Sequence, residues 1–495
     1  MNLLDLVVCQ GDRRRFHGET SLLAPSVYRE QARAYVHEVQ HDPLLEWGMR
    51  LALWVASVLT LTLGASSAQA LDLMKSYQLA LQQDASFQAA RAETAATREL
   101  VPQARAQLLP NLSSSLTRSK DLTASETPGF LGQRSFNSYE YISASYALTL
   151  RQPLYRKYNF AQYQQAQSQV VSAEAGLDKS LQNLLVRLCG AYFEALMAHD
   201  QLDLVLSAKE AYAGQLAAAQ RIFAAGQGTR TDIDDARARY DMALAQELEA
   251  SQNVGQTRRQ LQLIINQPAE NLALLNPARM ELIPPLPADP EDWISRGEEV
   301  NAELRAMRAN IRSAAQELEK ARAGHMPTVD LVAQRSRSLS ENQVTINQFY
   351  LTSQVGVQVN IPIYAGGYSS SQVRQALANL EKYQQQYEAR RREVDLEIRK
   401  EFQNVAEGVL KVRAQEQAER SSDQALFSNQ KGYQAGTRTQ IDILNAQQQR
   451  MNVRRDLANA RYQYVLARVR LQGLVGSLNE AEISTINGWL SEPGV

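Results

Sequence analysis

Cysteine and histidine are scarce in this 495-residue chain, with two of the former and five of the latter. Neither a CxxC nor an HExxH spacing occurs, so nothing points to a zinc site or a disulfide-stapled module. Charge of one sign is lacking as well. The 52 basic and 53 acidic side chains leave a formal net charge of −1, which gives no reason to expect nucleic acid as a partner. No apolar run approaches the ~18 to 20 residues of a membrane-spanning helix. A Gly-rich phosphate loop, a nucleophile elbow and a paired His–carboxylate constellation are all missing, so neither an enzyme nor a cofactor is expected.

Residues 49–70 read MRLALWVASVLTLTLGASSAQA. One Arg, an apolar stretch and a small-residue Ala68-Gln69-Ala70 ending make the order of a secretory signal, with cleavage expected after Ala70. Residues 1–48 are then an upstream extension, expected from a start assigned too early, with Met49 as the true one. No Cys follows the cleavage point, so a lipid-anchored amino terminus is not expected. The exported chain keeps only Cys189, which is expected as a small packed thiol in a helix. His199 and His325 lack partner spacing and are expected as surface or structural residues.

The exported part repeats itself. GTRTDID at Gly228–Asp234 returns as GTRTQID at Gly436–Asp442, and QPLY at Gln152–Tyr155 finds IPIY at Ile361–Tyr364. A third match pairs Pro110 with Pro327, in the same order at a similar offset. A duplicated unit of roughly 200 residues is implied. The expected layout is a first repeat over 71–280, a second over 281–478 and a C-terminal tail over 479–495. Each repeat reads as a helix, two strands, a very long helix, a Gly-Thr-Arg turn and another helix. The long stretches, from Tyr158 and from Ser369, are rich in Ala, Gln, Leu, Glu and Arg and hold no internal Pro. At ~1.5 Å per residue they reach ~100 Å, a length that requires coiled-coil packing.

Four strands are expected near 108–118, 138–153, 326–338 and 348–363. In the second, Ile142, Ala144, Tyr146, Leu148 and Leu150 face one way and Ser143, Ser145, Ala147 and Thr149 the other. In the fourth, Phe349, Leu351, Val355, Val357, Val359 and Ile361 alternate with polar residues. The other two strands carry weaker sets, Leu112 with Leu116 and Val329, Leu331 with Ala333. Asp330 is expected to point to a lumen. Period two over about ten residues with a polar second face suits a membrane-barrel strand. Four strands cannot close a barrel, so a homo-oligomer must complete it.

With these features the sequence resembles the TolC family of outer-membrane channel proteins. The resemblance covers the chain after Ala70 and is carried by QPLYRKYN, IPIYAGGY, YQAGTRTQIDILNAQQ and LANARYQYVLARVRLQGLVGSLNE. It implies a mostly α fold with a β-barrel portion: a homotrimer with a twelve-stranded barrel in outer-membrane lipid and a long α-helical barrel in the periplasm. The implied function is an exit duct for type I protein secretion and multidrug efflux. Its implied partners are a periplasmic adaptor protein and an inner-membrane RND or ABC transporter. The competing expectation is an exported trimeric coiled-coil scaffold or adhesin, which leaves the internal strand pairs unexplained.

The resemblance also assigns sites. Tyr433 and Arg438 in the second repeat, with Thr231 and Asp232 in the first, match the links that hold the family's periplasmic gate shut. Asp442 matches one of two Asp positions at the narrowest point, while Asn445 stands at the second, so one carboxylate ring is expected and not two. The turns that contact the adaptor correspond to Gly228, Thr229 and Arg230, and to Gly436 and Thr437. Asp234, which the repeat alignment places opposite Asp442, is expected as a solvated helix residue.

Overall fold

The computed structural model describes residues 71–491, apart from 129, 131 and 343. The signal segment, its cleavage point and residues 1–48 lie outside the described residues. The first repeat contains α1 (Leu73–Gln83), α2 (Ala85–Arg98), α3 (Leu100–Ala106), β1 (Asn111–Pro128), β2 (Arg134–Tyr155), α4 (Lys157–Ala224) and α5 (Arg230–Ile265). A short β3 (Leu274–Leu275) follows. The second contains α6 (Pro290–Val300), α7 (Ala302–Ala323), β4 (Thr328–Leu339), β5 (Phe349–Asn360), α8 (Tyr368–Gln434) and α9 (Gln440–Leu474). The tail adds α10 (Glu480–Asn487) and β6 (Leu490–Ser491).

The α4 and α8 helices run for 68 and 67 residues, about 100 Å each at 1.5 Å per residue. Most helical stability in proteins comes from packing of one face, and the buried positions show how these helices are held. In α9 they fall at Val453, Leu457, Ala460, Tyr464, Ala467 and Leu471, an alternation of four and three. In α8, Val394, Ile398, Glu401, Val405 and Val412 keep the same phase. Gly408 completes the α8 series at a place where a Cβ would stand 3.3 Å from the Tyr464 ring. On α5 the seam is narrower, with Ala236, Ala243, Ala250 and Thr257 buried at seven-residue intervals. This is heptad packing, and it pairs α4 with α5 and α8 with α9 as two helical hairpins.

Shorter helices stack end on with these hairpins. The Asn301 carbonyl oxygen of the side chain accepts from the Glu303 and Leu304 amides, capping α7. Its Nδ2 donates at 2.7 Å to the Leu474 carbonyl at the end of α9. One side chain therefore serves orphan groups of both helix ends. The principal core lies at this level, where α4 passes through it from Leu184 to Ala198. Tyr192 is fully buried there, and its hydroxyl donates to the Leu71 and Ala273 carbonyls at 3.0 and 3.1 Å. Cys189 is buried beside it, and burial pushes its thiol up to about 12.

The four long strands form one antiparallel sheet in the order β1-β2-β4-β5. The register aligns Leu112, Leu150, Ala333 and Val355 in one row, and Leu116, Tyr146, Arg337 and Leu351 in another. These rows share a face, because every step between them is even. Leu112, Leu116, Val355 and Val357 are each at least 60% exposed, so this apolar face is uncovered in the single chain. The opposite face carries Ser113, Ser115, Thr149, Gln334, Gln354 and similar short polar residues. The first hairpin is longer than its sequence suggests. The β1 strand runs to Pro128 and β2 begins at Arg134, and residues before Ala144 pair only with β1. In Lys120–Glu126 only Leu122 and Ala124 are apolar, too weak a mark by which to find this extension. No helix among the described residues is long and apolar enough to cross a membrane.

Asp330 lies on the polar side of β4 and meets a cation at the start of α4. It is 3% exposed, and Arg156, just before α4, donates to both its oxygens at 2.8 and 2.5 Å. The carboxylate that β4 turns inward is taken up by a fixed cation where strand becomes helix, so it does not face open water.

Candidate functional site at the hairpin tips

Both hairpins reverse through the same turn. At the end of α4, Gly226 has φ +76°, and at the end of α8, Gly436 has φ +75°. The left-handed conformation suits glycine, and it lets the next two amides reach back into the helix. Gln227 N donates to the Ile222 carbonyl and Gly226 N to that of Phe223, at 3.1 and 2.9 Å. The second tip repeats this with Thr437 N to Gly432 O at 2.8 Å and Gly436 N to Tyr433 O at 3.0 Å.

The following helices start with matching capping boxes. Thr229 caps α5: the Asp232 amide donates to its Oγ1, and Asp232 Oδ2 accepts from Thr229 N at 3.1 Å and Oγ1 at 2.6 Å. Thr439 and Asp442 do the same for α9, at 2.8 and 2.9 Å. The structural counterpart of Asp442 is thus Asp232, and Asp234 is an exposed residue one step further along α5. The repeated GTRT string is out of phase with the fold by two residues. Thr229-x-x-Asp232 and Thr231-x-x-Asp234 both read as capping boxes. The fixed distance of three residues from the left-handed glycine to the cap selects the first. By the same shift the reversing glycine is Gly226, not Gly228. A Cβ on Gly228 would lie 3.2 Å from Ile222 Cγ2 and Phe223 N, so this position is a close approach to the α4 end.

Thr229, Arg230 and Thr231 are exposed on one tip, and Gly436, Thr437 and Arg438 on the other. Tyr433 is half-buried, as is Asp442. The Asp442 carboxyl is held below the ordinary range, first by the Thr439 backbone and hydroxyl bonds and then by the Arg438 charge. It is therefore ionised at neutral pH. Arg438 lays its aliphatic stem over Gly432, where a Cβ would sit 2.7 Å from Arg438 Cγ. Among the described residues no ion pair joins Arg438 to Asp232 within the chain.

What joins the two hairpins near their tips is a set of contacts that the repeat pattern does not mark. Gln440 Nε2 donates to Gln215 Oε1 at 2.7 Å, Tyr212 OH to Gln448 Oε1 at 2.9 Å, and Arg239 Nη2 to Asn445 Oδ1 at 2.7 Å. Beneath them lies a small separate core of Ala208, Tyr212, Ala243 and Leu444. These partners lie more than 200 residues apart on polar helix faces, and only the relative rotation of the two coiled coils could have exposed them. No group of His, Cys, Asp and Glu among the described residues could hold a metal ion.

The duplicated hairpins, the apolar-faced sheet and the capped tips agree with the comparisons with known proteins. The sequence model described as outer membrane efflux protein matches residues 76–267 and again residues 293–477, one stretch in each repeat. The chain belongs to the outer membrane efflux protein family. It is 33% identical over 448 residues to the proteases secretion protein PrtF of Dickeya chrysanthemi, covering 89% of this chain and 96% of that one. It is 34% identical to the alkaline protease secretion protein AprF of Pseudomonas aeruginosa, covering 88% and 91%. The outer membrane protein TolC of Escherichia coli is 30% identical, covering 90% of each chain. Among solved structures, CusC superimposes with a TM-score of 0.71 at 16% identity, over 82% of this chain and 92% of that one. The Campylobacter jejuni CmeC outer membrane channel also gives 0.71, at 18% identity over 84% and 89%. Fold and outer-membrane placement follow for this chain as a family member, as the sequence resemblance implied.

Proposed function

We propose that this chain is one third of a passive export duct, closed as a trimer in the outer membrane and reaching through the periplasm. The observation that carries the reading is the sheet itself. Its outer edges, on β1 and β5, have no strand partner among the described residues, while one face is largely apolar and uncovered. In lipid every unpaired backbone group costs several kcal/mol, so such a sheet must close on further copies. Three copies give twelve strands, enough for an open barrel above the ~8-strand limit. The scaffold or adhesin reading gives this sheet no task.

The tips form the gate in this reading. Arg438, exposed and without an ion-pair partner among the described residues, pairs with Asp232 of an adjoining subunit, supported by Tyr433 and Thr231. A charge-assisted bond of this kind is strong enough to bias a closed state and weak enough to break on docking. Asp442 contributes one carboxylate per chain to a ring at the constriction, and Asn445 adds none. The turns at Gly228, Thr229, Arg230, Gly436 and Thr437 receive the periplasmic adaptor, which connects the duct to an inner-membrane RND or ABC transporter. The names of the relatives PrtF and AprF favour secreted protein as one cargo, besides drug efflux. The duct performs no bond chemistry, and the pump supplies the energy.

Two measurements on purified protein test this reading. Light scattering should give a trimer, and planar bilayers should show discrete single-channel steps. A trimer without steps would support the scaffold.

A further inference from the structure

The ion pairs in the lower half of the molecule are distributed unevenly. The α8/α9 hairpin is zipped by Arg450 to Asp423, Arg454 to Glu419 at 3.1 Å and Arg461 to Glu416 at 3.1 Å. The α4/α5 hairpin has Lys209 to Glu247 at 2.7 Å. Between the two hairpins below the waist, the described residues form no cation–carboxylate pair. The contacts that cross include the three side-chain hydrogen bonds to neutral amide oxygens and the small four-residue apolar core, with Tyr240 and Met451 packed against it. Each hairpin is therefore internally stiff and only lightly fastened to its neighbour. A segment with few buried apolar contacts belongs to the low-stability end of a fold, from which moving parts are drawn.

Of the three bonds, the Arg239–Asn445 contact joins α5 to α9 directly, and it alone has a charged donor. Arg239 makes no ion pair among the described residues. Its charge also bears on Tyr212, whose hydroxyl donates to Gln448 one turn further along α9. Arg239 thus stands at the centre of the polar seam, half-buried, with the small core at its back. A cation bonded to a neutral amide is fastened more firmly than an amide–amide pair and less firmly than a salt bridge.

Resting on the duct reading above, we propose that Arg239 is an intra-subunit latch. It holds the α8/α9 hairpin against α4/α5 through Asn445, and the latch must release before that hairpin can swing. It acts in series with the link between subunits, and it sets how much of the closed state's stability each subunit carries alone. Asn445 is then a positioning residue for the gate, not a member of a charged ring.

Single-channel recording in planar bilayers tests the latch. Arg239→Ala and Asn445→Ala remove opposite ends of one bond, and each should raise the open probability of the isolated trimer on the order of tenfold, the equivalent of ~1.4 kcal/mol. The double variant should do no more than either alone. Asn445→Asp should convert the bond to an ion pair and lower the open probability below wild type, and adding Arg239→Ala should abolish that tightening. A tightening that survives Arg239→Ala comes from ring charge and overturns the latch. Channels that open with Arg438→Ser yet stay closed with both alanine variants also overturn it, while the duct reading stands. Absence of any channel steps in the wild type removes the duct reading itself. Should Arg239→Ala fail to assemble, Asn445→Ala and Asn445→Asp carry the same decision from the other helix.

Discussion

Tyr462 on α9 donates a 2.6 Å hydrogen bond to the Asp200 carboxylate on α4, joining the two repeats at the edge of the waist core. The phenol is buried and the carboxylate half-buried, so neither partner is freely served by water. Burial raises the Asp200 pKa, with Asp203 adding to the effect, while the Tyr462 bond, His199 and Arg461 oppose it. Tyr462 is raised as well, through burial and the Asp200 charge. Above this bond the packing is heavy, and below it the hairpins are held by the light seam described above. The bond therefore marks the boundary between the two modes of packing.

Removing the phenol hydroxyl should leave a partly buried carboxylate without its donor. Tyr462→Phe should cost about 1.5–3 kcal/mol, the range for a hydrogen bond to a charged group, read as a lowered urea midpoint. Asp200→Asn isolates the pH term. A carboxyl whose pKa is higher folded than unfolded binds its proton more tightly when folded, so its contribution to stability falls as pH rises through that interval. Relative to wild type, the Asp200→Asn protein should gain stability as pH rises above the ordinary carboxylate range of about 4. A difference that is flat with pH would mean that Asp200 titrates as an ordinary surface carboxylate.

Asp442 has two tasks in one side chain, and they separate by substitution. Its Oδ2 completes the α9 cap, and its charge faces the proposed constriction. Asp442→Asn keeps a cap acceptor and removes the charge, so cation preference and divalent block should weaken with little change in stability. Thr439→Ala removes the reciprocal cap, which costs ~1 kcal/mol. It should speed amide exchange at the start of α9 without altering selectivity. Equal selectivity in wild type and Asp442→Asn would take Asp442 out of the ring.

Gly432 offers a way to move Arg438 without mutating it. A methyl group there would stand 2.7 Å from Arg438 Cγ and 3.2 Å from Thr437 Oγ1. The atom that must give way lies near the backbone, so the whole side chain has to swing aside. Gly432→Ala and Arg438→Ser should both raise conductance, while helix propensity alone would make Gly432→Ala slightly stabilising. If conductance and stability both stay at wild-type values, Arg438 does not need this seat.

The sequence made some of this visible and concealed the rest for identifiable reasons. Long Pro-free helices and alternating strands were legible because period and length are local properties. The phase of the tips was not. Two overlapping Thr-x-x-Asp boxes fit the first repeat equally well, and only the position of Gly226 decides between them. The upper half of the first hairpin was hidden because its apolar residues, such as Leu122, are paired with polar ones, and Ser119, Asp121 and Ser143 bond to one another there. Arg239, Gln215 and Tyr212 were missed because their partners are set by how two coiled coils are rotated against each other. A single-chain pattern does not encode that rotation in any local repeat. Asp330 was placed on the polar side of the pleat, but its partner Arg156 lies 174 residues earlier, and the QPLYRKYN motif that contains it does not point to β4.

That last pair yields the prediction on assembly. Arg156 holds Asp330 in two bonds at the point where β2 gives way to α4, and Arg151 lies 3.8 Å from the same carboxylate. With Asp330 almost fully buried, removing its charge leaves a guanidinium aimed at a site that water barely reaches. Breaking a buried pair from one side costs about 3–5 kcal/mol, and the partial exposure of Arg156 brings the expectation for Asp330→Ala to ~2 kcal/mol. Because the pair fixes the angle between sheet and long helix, the loss should fall on assembly as well as on folding. Heat-resistant trimer should appear more slowly in detergent, and Arg156→Met with Asp330→Leu should recover it by replacing the pair with apolar groups. If the double replacement assembles no better than Asp330→Ala, the two-bond geometry itself sets the angle, and burial of the junction is not sufficient.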